Sequence, residues 1–216
     1  MKKGLTELIV MHDNITPVPG FQKKAQKISA EFLATLSKAQ TEERQIRFTG
    51  VLFGGGYKMV ADDVPIGDVK SNPDDFTATG TRDIFDSAAK AIIEKGSAYG
   101  NKHESEHPEN IIFVIVAFGR DNASKSFTYS QVADMVRHQS EVYKWKFFCL
   151  TTDSFVSEQF GLGEDFVILL DYGEDDYFSD ALKKLSERIM NIIDPPPPPP
   201  PLPVEEQPPE AEFQDS

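Results

Sequence analysis

The pattern with the most direct chemical meaning in this sequence is His103-Glu104-Ser105-Glu106-His107. Two histidines at this spacing on a helix lie one turn apart and bind zinc, while the glutamate after the first histidine activates a water molecule for hydrolysis. The surrounding residues argue against such a helix, because the segment is polar, follows Gly100 and meets Pro108 at once. We therefore predict a charged surface loop here, and a zinc-dependent hydrolase stays open as an alternative.

Glycine and serine patterns that mark catalytic sites in other proteins are incomplete in this chain. The run Gly54-Gly55-Gly56 lacks the Lys-Ser/Thr pair of a phosphate-binding loop and does not open a helical pattern. It therefore predicts a hairpin turn. The Gly-x-Ser-x-Gly pattern, which exposes a nucleophilic serine, is absent from the sequence. We predict that the protein is not an enzyme and that it binds no cofactor.

Apolar periodicity divides the first 194 residues into alternating strands and helices. The most apolar run, 111–118, shows no alternation, which indicates a central strand that is covered on both faces. Apolar residues that recur every three or four positions predict amphipathic helices. The predicted strands are 5–11, 47–53, 57–60, 111–118, 145–150 and 166–170, and the predicted helices are 21–36, 81–93, 128–139, 153–160 and 178–193.

The order of these elements predicts an α/β fold with a doubly wound, mostly parallel central sheet and helices on both faces. The hairpin at 54–56 predicts one antiparallel edge strand, and the polar segment 62–75, with its two prolines, predicts a loop. Ligand sites of such sheets lie beyond the carboxyl ends of the strands. In this chain those ends carry His12-Asp13-Asn14, Phe118-Gly119-Arg120-Asp121 and Thr151-Thr152-Asp153.

The order and the residues of these segments resemble a von Willebrand factor A (vWA) domain, of the compact stand-alone bacterial and phage type, over residues 5–170. The resemblance implies a metal-ion-dependent adhesion site (MIDAS) at the carboxyl ends of the strands. In that family an Asp-x-Ser-x-Ser loop, a threonine and a second aspartate hold a divalent cation, usually magnesium. A carboxylate of the partner protein completes the metal's shell of hard oxygen ligands.

Matched residue by residue, the chain retains two of the five side-chain oxygens that the family pattern implies. Asp13 stands at the first aspartate and Thr81 at the threonine. The two serine positions hold Ile15 and Pro17, and the second aspartate position holds Phe118. Losing three hard ligands leaves too few to displace the hydration shell of magnesium. The resemblance therefore predicts a degenerate MIDAS that binds no metal.

An alternative keeps a divalent site through residual or substitute oxygens. Asp13 and Thr81 would act with Asp121, or with Thr16 or Asn122 from shifted loop positions. The simpler interpretation of Asp121 and Asn122 is a turn before the next helix. On this alternative the protein would be a metal-dependent ligand binder.

The last 22 residues, 195–216, form a second region after a domain predicted to span residues 1–194. They contain ten of the fifteen prolines, five acidic residues and no lysine or arginine, which predicts a disordered acidic tail. The uninterrupted run 195–201 predicts a polyproline II rod about 20 Å long. The tail is either a stiff spacer or a ligand for an aromatic groove, with anchors at Pro201, Leu202, Pro203 and Phe213.

The charge and the cysteine content limit the environment and the partners. The net charge is −13, of which the tail contributes −5 and residues 1–194 contribute −8. Acidity in both regions argues against nucleic acid and anionic membranes as partners. The single cysteine, Cys149, forms no internal disulfide, and no apolar run approaches the length of a membrane span. We expect a cytoplasmic protein.

The combined features predict a protein–protein interaction or assembly module whose contact surface lies at the carboxyl ends of the strands. Apolar residues in place of metal ligands favour a contact that needs no metal. The sequence does not indicate the partner's identity or the oligomeric state. The candidate contact residues are Asp13, Ile15, Pro17, Thr81, Phe118 and Arg120.

Overall fold

The described part of the chain forms six strands and five helices. A computed structural model describes residues 1–14, 21–70, 80–171 and 176–195, with the side chains of the first helix described from residue 27. The strands are β1 (Lys2–Asp13), β2 (Gln45–Phe53), β3 (Lys58–Pro65), β4 (Pro108–Ala117), β5 (Lys146–Thr151) and β6 (Val167–Leu169). The helices are α1 (Phe21–Lys38), α2 (Ile84–Gly100), α3 (Tyr129–Tyr143), α4 (Ser154–Gln159) and α5 (Tyr177–Ile193).

All six strands belong to one sheet with the order β3-β2-β1-β4-β5-β6. The neighbours β1 and β2, β1 and β4, β4 and β5, and β5 and β6 pair in parallel, while β2 and β3 pair antiparallel. This confirms the predicted α/β fold class with one antiparallel edge strand. The order reverses between β1 and β4, so the carboxyl ends of these two central strands flank the point where ligands bind in such sheets.

Two hydrophobic cores lie on the two faces of the sheet. Helices α1 and α5 cover one face, and α2, α3 and α4 cover the other. Successive residues of β4 point to opposite cores, since Ile112 lies among the α1 and α5 side chains and Phe113 among those of α2 and α3. Both cores exclude water, which explains why this strand is apolar at every position.

The hairpin between β2 and β3 turns at Gly54-Gly55-Gly56, as predicted. All three residues have positive φ angles, of 110°, 82° and 122°, a region that favours glycine. The predicted loop from residue 62 is wrong at its start, because β3 continues to Pro65. The strand absorbs two acidic residues through a register irregularity at Asp63, which has a φ of 51°.

Several predicted sites lie outside the described residues. They are Ile15 and Pro17 after β1 and the tail anchors Pro201, Leu202, Pro203 and Phe213. Helix α5 ends at Ile193, one residue before the predicted end of the domain. Within the described ranges, no helix combines the length and the apolar character needed to cross a membrane.

Candidate functional site

The carboxyl end of β1 carries a fully buried carboxylate. Asp13, the last residue of β1, has an exposed fraction of 0%. Its Oδ2 accepts a hydrogen bond from Arg82 Nε at 2.7 Å and another from the backbone N–H of Phe118 at 3.1 Å. The Arg82 side chain is only 17% exposed, so this ion pair lies largely out of solvent. A buried carboxylate requires such a counter-charge, because its desolvation otherwise costs several kcal/mol.

Arg82 is held in place by the loop that follows β4. Its backbone N–H donates to Asn122 Oδ1 at 2.7 Å, and its carbonyl oxygen accepts from the N–H groups of Asn122 and Ala123 at 3.0 Å each. Its guanidinium lies against Gly119, where an added Cβ would be 3.1 Å from the Arg82 Cζ. The segment before α2 and the loop after β4 therefore clamp this arginine onto the end of β1.

Asp121, the predicted substitute ligand, takes part in capping α2. Its Oδ2 accepts a hydrogen bond from Ser124 Oγ at 2.5 Å and lies 3.3 Å from the N–H of Phe85. Ser124 Oγ in turn accepts from the N–H groups of Phe85 and Asp86 at 3.1 and 3.0 Å. These donors belong to the first turn of the helix, where no intrahelical partner is available. This cap also explains why α2 begins at Ile84 and not at Thr81.

Asp86 makes a second connection between α2 and the same loop. Its carboxylate accepts hydrogen bonds from the backbone N–H groups of Lys125, Ser126 and Phe127 at 2.8, 2.9 and 2.7 Å. Burial alone would raise the pKa of Asp86, but these three backbone bonds outweigh it and hold the pKa below its ordinary value. The ionised carboxylate thus fixes the loop against the helix.

Thr81 and Phe118 occupy different environments. Thr81 is exposed at the rim. Phe118 was predicted as a contact residue, but its side chain is only 5% exposed. Its ring lies 5.8 Å from that of Phe178 and 5.6 Å from that of His12. Phe118 is thus part of the core under α5, and it packs beneath the carboxyl edge of the sheet. Burial also lowers the pKa of His12.

Arg120 is the most exposed charged residue among the predicted contacts, with 61% of its side chain accessible. Its Nε pairs with Asp153 Oδ2, and its guanidinium lies 4.5 Å above the centre of the Phe155 ring. The hydrogen bond from Arg120 lowers the pKa of Asp153. Phe155 is itself 42% exposed. Arginine, aspartate and an accessible aromatic ring therefore form a small patch where β4 and β5 end.

The two histidines of the zinc-like pattern lie away from this edge, in the turn before β4. Residues 104–106 form a single 3₁₀ turn and not an α-helix. The His103 Nδ1 accepts from the N–H of Ser105 at 3.3 Å, and the His107 Nε2 lies 3.2 Å from the carbonyl oxygen of Lys102. Within the ranges that the structure describes, no three His, Cys, Asp or Glu side chains are grouped to hold a metal ion.

Sequence reasoning missed the roles of Arg82 and of Lys95. Lys95 extends from α2 to three strands, with Nζ 2.9 Å from Glu7 Oε1, 3.0 Å from Thr49 Oγ1 and 3.0 Å from Asp62 Oδ1. Lys95, Glu7 and Thr49 are at most 5% exposed. Glu7 interrupts an otherwise apolar strand pattern, and this interruption is the sequence feature that could have indicated the buried network.

Several solved structures have a similar fold. Proximal thread matrix protein 1 (PTMP1) from the mussel byssus matches with a TM-score of 0.61 and 13% identity, over 88% of this chain and 46% of that one. Another structure of PTMP1, with a zinc-occupied MIDAS motif, matches with a TM-score of 0.61 and 12% identity, over 88% and 48%. The PilB minor pilin from Streptococcus sanguinis matches with a TM-score of 0.61 and 8% identity, over 89% and 63%.

These similarities show that the chain has a vWA-like fold, and at such low identity they extend to the fold alone. The chain spans about half the length of the mussel structures that it matches. No known protein-family model matches the sequence, and no curated protein matches it either.

Proposed function

We propose that this chain is a non-catalytic protein–protein interaction or assembly module that contacts its partner at the carboxyl edge of the sheet without a bound metal ion. The observation that best supports this proposal is the buried ion pair between Asp13 and Arg82. The guanidinium supplies an internal positive charge to the carboxylate that matches the first aspartate of the vWA pattern. In this proposal the MIDAS is degenerate, and Arg82 takes the structural place of the cation.

Electrostatics supports this replacement. A divalent ion that bound Asp13 Oδ2 would lie within a few ångströms of the Arg82 guanidinium and would be repelled by it. The described loop after β4 offers Asp121, which already bonds to Ser124. Of the vWA serine positions, Ile15 and Pro17 carry no side-chain oxygen at all. These residues do not fit the octahedral oxygen shell that magnesium requires.

The composition of the rim supports a contact with another protein. Arginine and aromatic residues are enriched at interfaces, and Arg120 with Phe155 presents both at the same edge. Two structural neighbours are named a thread matrix protein and a minor pilin, which are names of structural components. An assembly role for this chain agrees with those names.

Calorimetry with magnesium, manganese and zinc tests the absence of a metal site. We expect no saturable binding to the full-length protein and no rise in its melting temperature with any of the three ions, because Arg82 already neutralises Asp13. Stoichiometric binding of magnesium or manganese that disappears in Asp13→Asn would overturn the proposal. It would favour the metal-dependent alternative through Asp13, Thr81 and Asp121.

Cross-linking capture with the full-length protein tests the contact surface. We expect the same cross-linked partners in EDTA and in magnesium, and we expect Arg120→Glu to weaken their capture. Arg137→Glu is the matched control, because Arg137 is equally exposed, at 64%, and pairs with Asp134 on α3. Parallel captures with Leu202→Ala and Phe213→Ala measure the contribution of the tail. Loss of capture in EDTA, or equal loss in both arginine variants, would contradict the proposal.

A further inference from the structure

The two outer strands of the sheet differ in how they are protected from pairing with a further strand. An exposed edge presents N–H and C=O groups that can bind another strand, and proteins protect such edges with charged side chains, prolines and bulges. β3 has all three, with Lys58, Asp62 and Pro65 in its sequence and a register irregularity at Asp63. β6 lies at the opposite side of the sheet, and its residues Val167–Leu169 include no charge and no proline. The sequence of β6 therefore gives this edge no protection of its own.

Alternate residues of β6 direct their backbone groups towards β5 and away from it. The N–H of Leu170 donates to the carbonyl oxygen of Thr151 at 2.8 Å, so the backbone groups of Leu170 and Ile168 face β5. Those of Val167 and Leu169 therefore point to the outer side. Among the described residues, β6 pairs with β5 alone. The outward groups of Val167 and Leu169 are the ones that an additional strand would bind.

The chain itself already binds both outward groups of Val167. The Val167 N–H donates to the Glu164 carbonyl oxygen, within the 3₁₀ turn that precedes β6. The Val167 carbonyl oxygen accepts from Arg188 Nη1 at 3.2 Å, and the same Nη1 donates to the Asp165 carbonyl oxygen at 2.6 Å. Of the two outward residues of β6, only Leu169 is left to bind another strand. A ladder needs alternate residues in succession, so a strand cannot be added here while Arg188 stays in place.

From these contacts we infer that Arg188 blocks the outer edge of β6 against the β6 strand of a second copy of this chain. A second copy is the occupant that fits, because the segment 166–170 is uncharged and rich in β-forming residues, and two such strands can pair across a two-fold axis. Leu169 and Phe166 are 60% and 38% exposed, so pairing would remove apolar surface from water. The inference goes beyond the proposed function, because it concerns the lateral edge of the sheet and not its carboxyl edge.

Acidic residues on both sides of β6 oppose the same contact. Asp165 precedes the strand and Asp171 follows it, and the net charge of the whole chain is −13. Salt screens the repulsion between two such copies, whereas the backbone hydrogen bonds and apolar contacts of a strand pair persist. Removal of the Arg188 donors should therefore have its largest effect at high salt.

Arg188→Met in the full-length protein tests the inference, because it keeps a long unbranched side chain and removes every N–H donor. Lys184→Met is the matched control, since Lys184 is an exposed residue of the same helix and its replacement removes the same charge and adds the same apolar side chain. Sedimentation equilibrium at low and high salt is the measurement. We expect the average mass of Arg188→Met to rise towards twice that of the parent with increasing protein concentration, and more so at high salt. Lys184→Met should sediment like the parent.

Hydrogen exchange shows whether the contact lies at β6. The outward Leu169 N–H should exchange rapidly in the parent, while the Ile168 and Leu170 N–H groups, which face β5, should exchange slowly. In the associated Arg188→Met protein we expect the Leu169 amide to become protected as well. Adding Leu169→Lys to Arg188→Met should restore the mass of the parent, because a charge on an edge strand opposes pairing.

The inference is wrong if Arg188→Met sediments like the parent under all conditions, or if Lys184→Met associates to the same extent. It is also wrong if the Leu169 amide is already protected in the parent or stays unprotected in the associated variant. Association that Leu169→Lys does not reverse would place the contact elsewhere or attribute it to partial unfolding. None of these variants changes Asp13, Arg82 or Arg120, so a failure here leaves the tests of the proposed function unaffected.

Discussion

At the scale of single residues, the carboxyl edge depends on how closely one side chain can approach a backbone. The Arg82 guanidinium, which bonds to Asp13, lies against Gly119, and a Cβ added at that position would be 3.1 Å from the Arg82 Cζ, which is tighter than an ordinary contact. Gly119 has no positive φ angle, so the requirement for glycine comes from the arginine and not from the backbone. The glycine at position 119 and the buried ion pair therefore depend on each other, because a side chain at this position would press on the guanidinium.

Gly119→Ala tests this coupling. The new Cβ would lie 3.1 Å from the Arg82 Cζ and Nη1, so the guanidinium must shift by a few tenths of an ångström, a shift that its bond to the buried Asp13 opposes. We expect a loss of about 1–3 kcal/mol in the free energy of unfolding, measured by urea denaturation. Gly163→Ala is the control, because Gly163 has a φ of −72° and its added Cβ would meet nothing within 4 Å. Equal effects of the two substitutions would show that Gly119 has no such role.

Sequence reasoning placed Asp13 just beyond a first strand predicted to span residues 5–11, and in the structure β1 continues two residues further, so that Asp13 is its last residue. It did not identify the partner, because Arg82 is 69 residues away and a charged residue before a helix looks the same whether it is paired or solvated. Phe118 illustrates the opposite error. A residue at the end of a strand can point either to the edge or into a core, and its apolar character favours the core.

At the scale of elements, the loop after β4 stabilises the first turn of α2. Ser124 and Asp121 cap the helix, and Asp86 bonds back to the loop through three amides. Two other helices have side-chain caps from the residue directly before them, Thr128 for α3 and Asp153 for α4. Caps that lie next to their helix in sequence were predictable from local patterns. The cap of α2 was not, since it comes from nearly 40 residues downstream.

Asp86→Ala measures how much these contacts between α2 and the loop contribute to the free energy of unfolding, and how that contribution depends on pH. The folded pKa of Asp86 is lowered, so its contribution to stability is present above the unfolded value near 3.9 and is lost as the pH falls through the folded pKa. We expect Asp86→Ala to cost about 1–3 kcal/mol at pH 7 and less at pH 3 and below, measured by urea denaturation at both values. Asp134→Ala, which removes an exposed pair on α3, should cost little at pH 7. A cost that does not change with pH would mean that the carboxylate charge is not involved.

The end of α3 contains an unfavourable backbone conformation that can be relieved. Lys144 caps this helix with a φ of 60°, a left-handed conformation that glycine adopts without strain. We expect Lys144→Gly to raise the free energy of unfolding by about 0.5–1 kcal/mol, seen as a higher melting temperature. The reverse substitution Gly161→Ala, at a φ of 69°, should lower it. A lower stability of Lys144→Gly would instead indicate that losing the bond from Lys144 Nζ to the Glu141 carbonyl oxygen costs more than relieving the backbone conformation gains.

The edge strand β3 shows why some element boundaries could not be predicted. Local composition at Asp62 and Asp63 favours a loop, and sequence reasoning placed one there. The structure keeps both residues in the strand, because Lys95 neutralises Asp62 from α2 and the Asp63 N–H donates to Thr49 Oγ1. These partners lie on a helix and on another strand, so the sequence of the segment alone does not predict them.

At the scale of the whole molecule, one sheet separates two cores of similar extent. The α/β class followed from the alternation of elements and from the unbroken apolar run of β4, both of which depend on the packing of the entire domain. This is why the fold was more predictable than the site. Core residues need only the correct period, whereas the site depends on individual pairs that are distant in sequence.

Paired substitutions in β4 test whether the two cores unfold as one unit. Ile112 and Ile115 are both fully buried, but Ile112 belongs to the core under α1 and α5 and Ile115 to the core under α2 and α3. We expect Ile112→Val and Ile115→Val each to cost about 0.5–1.5 kcal/mol, because each removes one buried methylene. The double variant should cost the sum to within about 0.5 kcal/mol, since the two side chains share no core.

Urea denaturation followed by tryptophan fluorescence and by circular dichroism provides the measurement. Trp145 reports the core of Ile115, and the helical signal reports both cores, so coincident transitions indicate a single cooperative unit. We expect coincident curves in all three variants, because the strands between the cores contribute side chains to both. A fluorescence transition that separates from the helical one in Ile115→Val would show that the face bearing α2 and α3 unfolds independently, and the sheet would then join two units of separate stability.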